Sequence, residues 1–157
     1  MKKKLFFISF SCVLLLFACT PKPLLDKTAN VDEKGWKPDA ALQFSVEVTD
    51  LTALHNFYVT IRNTTDYKYS NIYLFIQTQF PNQKFSKDTV ECLLANANGK
   101  WKGKGWGKIK DNRFLVKQDF RFPVKGIYTF YIRQAMRDKE LVGIKNLGIN
   151  IENNKIE

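Results

Sequence analysis

The residues with the most chemistry in their spacing lie in one run, Leu94 to Lys108, which reads LANANGKWKGKGWGK. Lys100, Lys102 and Lys104 alternate with Trp101 and Gly103, and Trp106 stands between Gly105 and Gly107. A P-loop needs Ser or Thr after its Gly-Lys pair, to bind magnesium through the hydroxyl. No Gly-Lys pair here is followed by either. A dinucleotide fingerprint needs Gly-x-Gly-x-x-Gly between a strand and a helix. Gly103 to Gly107 gives Gly-x-Gly-x-Gly with no helical pattern behind it. Three uses remain: a turn and solvated strand, a basic and aromatic surface for a protein or anionic lipid, or a sugar platform on tryptophan rings. Lys100, Lys102, Lys104 and Trp106 are the candidate contact residues. If the lysines share a strand, the pleat sends all three to one side and Trp101 to the other, toward the core. Asn98-Gly99 supplies the turn.

Catalytic groupings are sparse. His55 is the single histidine, so a histidine-cluster metal site is excluded and any Ser-His-Asp triad would have to use it. It precedes a strand pattern in LTALHNFY and reads as a surface residue of a turn. Asp88 and Glu91 are close in sequence, as solvated carboxylates often are. Cys92, flanked by Val90 and Leu93, reads as a small buried hydrophobe. The expectation is a protein that is not an enzyme, with no cofactor and no metal.

The first residues decide the compartment. Lys2, Lys3 and Lys4 precede an apolar run from Leu5 to Ala18, too short for the roughly 20 residues of a membrane span and suited to a signal sequence. It ends in Leu16-Phe17-Ala18-Cys19, similar to a lipobox, with Phe17 bulkier than the usual occupant. Cys19 is then the lipidation site, carrying palmitate-type acyl chains. The expected divisions are 1–18 signal peptide, 19–35 flexible lipidated tether and 36–157 folded domain. With Cys12 removed and Cys19 acylated, Cys92 alone remains, so no disulfide forms. Losing three lysines with the signal lowers the formal charge from +10 to about +7. Outside the cytoplasm a basic balance points to anionic lipid, glycan or acidic protein rather than nucleic acid.

The elements that must position these residues are strands. Leu42, Phe44, Val46 and Val48 alternate with polar residues, as do Phe57, Val59 and Ile61. The run IYLFIQTQF, residues 72–80, reads as a strand buried on both faces. Thr89–Leu94, Arg113–Phe122, Ile127–Gln134 and Leu147–Glu152 complete the set, each bounded by turn residues. RQAMRDKEL offers at most one or two helical turns. Short strands at regular spacing predict a single all-β, antiparallel β-sandwich.

Three stretches, RNTTDYKYSNIYLFIQTQFP, DTVECLLANANGKWKGKGWGKIKD and RFPVKGIYTFYIRQAMRDKELVGIKNLGINIE, resemble the gliding motility lipoprotein GldH family of Bacteroidetes. The resemblance rests on Arg62-Asn63 with Tyr67 and Tyr69-Ser70-Asn71-Ile72, on Leu94-Ala95 through Gly105, and on Gln134-Ala135-Met136-Arg137. It implies an outer-membrane lipoprotein connected with surface motility and delivery of its machinery, without catalytic activity or cofactor. Thr20 is not an aspartate and the first acid is Asp26, so the expected address is the periplasmic face. Envelope proteins are the expected partners, and a carbohydrate-binding lipoprotein is the alternative.

Overall fold

The alternation of Phe57, Val59 and Ile61 with Tyr58, Thr60 and Arg62 becomes a strand with one buried face, because successive side chains leave a pleated backbone on opposite sides. In the computed structural model, which describes residues 22–154, eight strands follow one another. They are β1 (Leu25–Asn30), β2 (Leu42–Val48), β3 (His55–Thr64), β4 (Asn71–Gln79), β5 (Phe85–Leu93), β6 (Ile109–Phe120), β7 (Gly126–Gln134) and β8 (Ile144–Asn153). All pairings are antiparallel. They build two four-stranded sheets, ordered β1-β8-β3-β6 and β2-β7-β4-β5. The sheets face each other across one core. Val59, Ile61, Leu147 and Ile149 meet Leu74, Ile76 and Ile132, all fully buried. Phe57 of β3 stacks on Phe130 of β7 with ring centroids 5.3 Å apart. The sandwich expected from the strand spacing is the fold observed.

The stretch 19–35 reads as a tether, but the structure corrects its second half. Leu25–Asn30 is paired residue by residue with β8, from Leu25↔Ile151 to Asn30↔Asn146. The Leu24 amide already donates to the Ile151 carbonyl at 2.8 Å. Local alternation is weak here because Lys27 occupies an inward position between Leu25 and Ala29. What makes this segment a strand is the edge of β8, a long-range partner.

Two further expectations change. Residues 72–80 are buried on one face only: Ile72, Leu74 and Ile76 point inward, whereas Tyr73 is exposed and Phe75 half-buried. The strand covered on both sides is β8, where Leu147 to Ile151 are all buried. Its outer face is shielded by neighbours. A Cβ on Gly148 would lie 2.5 Å from Thr60 Oγ1 and 2.7 Å from Thr28 Oγ1. RQAMRDKEL forms no helix. The Gln134 side chain donates to the Asp138 carbonyl (2.8 Å) and accepts from the Met136 amide (2.7 Å), which holds the segment as an open turn. That turn delivers Leu141 to Trp36, and the two residues exchange backbone hydrogen bonds at 2.9 and 3.0 Å. Trp36 is completely enclosed, with its indole N–H satisfied by the Ala40 carbonyl at 2.7 Å.

Candidate functional site

The Leu94–Lys108 run lies between β5 and β6 and is two successive hairpins rather than one strand. In the first, Asn96 Oδ1 accepts from the amides of Asn98 (3.1 Å) and Lys100 (2.9 Å). The Lys102 amide then bonds the Leu94 carbonyl at 2.8 Å. In the second, Lys104 and Asp111 exchange backbone bonds at 2.9 and 2.7 Å, and Gly105 to Lys108 form the tip. The expectation that Lys100, Lys102 and Lys104 share one strand is therefore corrected. Between the two reversals only Trp101 and Lys104 make isolated bridges, to Ala95 and Asp111, and the chain bends at Gly103 between them, so no continuous pleat aligns the three lysines.

Glycine makes this path possible. A Cβ on Gly103 would sit 2.7 and 2.8 Å from the Asn112 side-chain amide, which is buried and donates to Asn63 Oδ1 at 2.9 Å. Gly105 has φ +138 and a virtual Cβ 2.5 Å from the Ile109 carbonyl oxygen, a position that any side chain would strain. The glycine spacing that imitates a phosphate loop is thus spent on tight reversals over a buried amide.

The side chains divide three ways. Trp101 is half-buried and packs on the core, as its expected direction required. Lys100, Lys102 and Lys104 are exposed, and no carboxylate pairs with them among the described residues. Trp106 stands at the second tip, 96% exposed. Lys102 and Lys104 also line an open groove of about 950 Å³, with Asp26 and Thr28 of β1, Arg62 of β3 and Asp111 and Arg113 of β6. Arg62 is held by Asp111, Nε to Oδ1 at 2.6 Å. Arg113 lies 3.5 Å over the Tyr58 ring and bonds Asn150 (2.9 Å) and Glu152 (2.8 Å). Lys100 and Trp106 are not part of this groove. Sequence reasoning found the lysines and missed the strand-borne partners, which come from three strands far apart in the chain. The one local signal was Arg62 in an outward position of an alternating run.

The remaining chemical groups are settled by burial. His55 is no surface residue but opens β3, 2% exposed, with its ring against Phe120 and Phe122. Neither ring nitrogen has a hydrogen-bond partner, and burial lowers its pKa below the ordinary value. Cys92 is fully buried and its thiol is pushed up to about 12, chiefly by burial. It is therefore a protonated, inaccessible thiol. Asp88 and Glu91 fall on opposite sides of β5, and Glu91 instead accepts from Asn71 Nδ2 at 2.6 Å. The lipobox and Cys19 lie outside the described residues.

Comparison with known proteins agrees along the whole domain. The family described as GldH lipoprotein matches residues 24–151. The chain is 33% identical over 153 residues to a gliding motility lipoprotein GldH homolog of Christiangramia forsetii, covering 93% of each. It is 32% identical over 146 residues to gliding motility lipoprotein GldH of Flavobacterium johnsoniae, covering 88% of this chain and 90% of that one. Among solved structures, dimeric latent PorU from Porphyromonas gingivalis gives a TM-score of 0.37 at 8% identity. The match covers 87% of this chain and 14% of that much longer one.

Proposed function

The chain belongs to the GldH lipoprotein family, and from that membership we propose that it works as a non-catalytic adaptor of the cell envelope in surface motility. Cys19 carries the lipid anchor, and several acyl chains on one residue hold a domain to a bilayer far more firmly than a single chain does. The domain then sits on the periplasmic face of the outer membrane and docks a protein partner through the double hairpin at Leu94–Lys108.

The observation that carries this reading is the second hairpin tip, where Trp106 is 96% exposed in the same run as the exposed Lys100, Lys102 and Lys104, which have no carboxylate partner among the described residues. A lone indole on a glycine-bounded tip is costly to leave in water, and tryptophan is among the residues that dominate binding interfaces. The exposed lysines of the double hairpin favour an acidic partner and speed encounter with it.

On the sheet faces Tyr73 and Phe85 stay exposed, but two outward rings are capped. A pyranose stacks on an open aromatic face, yet the ring of Phe75 is covered by Lys87 Nζ at 4.1 Å and that of Tyr58 by Arg113 at 3.5 Å. Those rings are already occupied by cations, and such a mixed surface suits protein contact better.

A photo-crosslinking amino acid placed at position 106 in living cells tests the reading. The expected product is a discrete protein adduct that disappears on replacing Lys100, Lys102 and Lys104 with Gln. Adducts to glycan alone, or none, would defeat it. For the anchor, Cys19→Ser should abolish labelling by radioactive palmitate. Resistance of the domain to protease added to intact cells is the result expected for the periplasmic face.

A further inference from the structure

The two sides of the sandwich are closed differently. On one side β1 packs beside β2. On the other, the edge strands β5 and β6 border a cleft of about 340 Å³ that runs in between the sheets. That volume falls in the range of small-molecule sites, roughly 300–1,000 Å³. Its walls are Phe57 and Phe130 at depth, Ile76 behind them, and Val90, Val116 and Phe120 toward the mouth. We propose that this cleft binds a single fatty acyl chain bearing an anionic head, with the tail between the sheets and the head at the lip formed by Lys117 and Arg121.

Three observations select that occupant. First, the deep wall is aromatic and aliphatic, formed by Phe57, Ile76, Phe122 and Phe130, while the polar side chains Thr78, Ser86, Asp88 and Thr89 are confined to the β4–β5 side. The Tyr128 hydroxyl, a polar group of the aromatic wall, already donates to the Val124 carbonyl at 2.8 Å and accepts from the Val124 amide at 3.2 Å. Against that deep wall a sugar or a peptide backbone would lose water without replacement, whereas a hydrocarbon tail would not. Second, the edge is guarded against an incoming strand. Asp88 of β5 lies at the cleft, where an inward charge blocks edge pairing, and the register of β6 shifts opposite Phe57 while Asp119 takes φ +51. Third, the lip is cationic. Lys117 Nζ lies 5.3 Å from the Phe120 ring centroid, directly beside the apolar wall, and has no carboxylate partner among the described residues. Arg121 stands next to it, its Nε donating to the Thr52 carbonyl at 3.0 Å. The two cations outweigh Asp88. The site is separate from the hairpin and does not depend on its role.

The test uses the unlipidated chain from Thr20 onward, which contains both sheets and the entire core, so that no acyl anchor or detergent competes. Titration with cis-parinaric acid, kept below its micelle concentration, should give a saturable fluorescence rise that palmitate reverses. Shortening the competing fatty acid should weaken it by about fourfold per methylene up to the length the cleft holds, the affinity equivalent of burying one methylene. Val90→Trp, which fills the mouth, should lose binding at least tenfold while the protein still melts cooperatively. Should that variant fail to fold, Lys117→Glu on the exposed lip gives the second reading. It should weaken palmitate by about tenfold and leave the neutral hexadecanol unchanged. The proposal is overturned if wild type shows no saturable binding, or if folded Val90→Trp and Lys117→Glu both bind palmitate like wild type. Displacement of the probe by extended apolar peptides but not by palmitate would overturn it equally.

Discussion

Trp36 and Trp106 are the same residue, each next to a glycine in a segment outside the named strands, and they end in opposite environments. Trp36 is 1% exposed and Trp106 is 96% exposed. The difference lies in what the rest of the chain brings to each. Trp36 meets Leu141, delivered by the Gln134-stapled turn, and a carbonyl from Ala40 completes its hydrogen bonding. Trp106 caps a hairpin that Lys104 pairs to Asp111 of β6, at a tip that the described residues leave open. One tryptophan closes the domain at the cost of its ring's freedom. The other gains nothing from folding and is left for something outside the molecule.

That contrast can be broken by substitution, and the largest effect is expected at the buried member. Trp36→Ala should cost roughly 3–5 kcal/mol, the penalty for emptying a large core side chain, read as a lowered urea midpoint with unchanged slope. An unfolding midpoint equal to wild type would mean that the ring contributes no packing. Trp101→Ala, half-buried in the first hairpin, should fall between the two extremes at about 1–3 kcal/mol. The same melt checks it, and a value near zero would make Trp101 a contact residue like Trp106.

His55 sharpens the comparison through pH. Burial holds its pKa below the ordinary 6.5, so the unfolded chain takes up a proton that the folded domain refuses. Stability is then complete above about pH 6.5 and declines as the pH drops below it. Urea midpoints at pH 8 and pH 5 should differ in wild type and converge in His55→Phe, whose ring suits the pocket of Phe120 and Phe122. The lowered pKa of Asp50, set by its bonds to Thr52, acts in the same direction but in a more acid range, below 3.8.

The smallest effect on stability belongs to the exposed member. Trp106→Ala should change the melting free energy by no more than about 0.5 kcal/mol, as should the Lys100, Lys102, Lys104 triple change to Gln, since exposed charges add little to stability. Both should still reduce crosslinking to the partner from a photo-reactive residue placed at position 108 instead, and added salt should mimic the lysine change alone. Loss of folding in Trp106→Ala would erase the contrast altogether.

The strands were the legible part of this sequence. Phe57, Val59 and Ile61, or Phe44, Val46 and Val48, carry their burial in their own spacing, so each could be placed without knowing its neighbours. The segment Leu25–Asn30 could not, because Lys27 breaks its inward row and only β8 makes it a strand. The candidate site was half legible. Lysines and tryptophans next to glycines stand out in any reading, but Asp26, Arg62 and Arg113 join the groove only when β1, β3 and β6 are laid side by side.

By itself, then, the sequence determined what depends on neighbours within a few residues: the alternating strands, the turn at Asn98-Gly99, and the motifs that carry the family resemblance. The tertiary structure decided whatever needs two distant segments. It buried His55 against Phe120 and Phe122, enclosed Trp36 with Leu141, left Trp106 in solvent, and opened the cleft between β5 and β6. The physical reason is that a pleat or a turn is fixed by local sterics and propensity, whereas burial is a property of the surface that arrives from elsewhere in the chain.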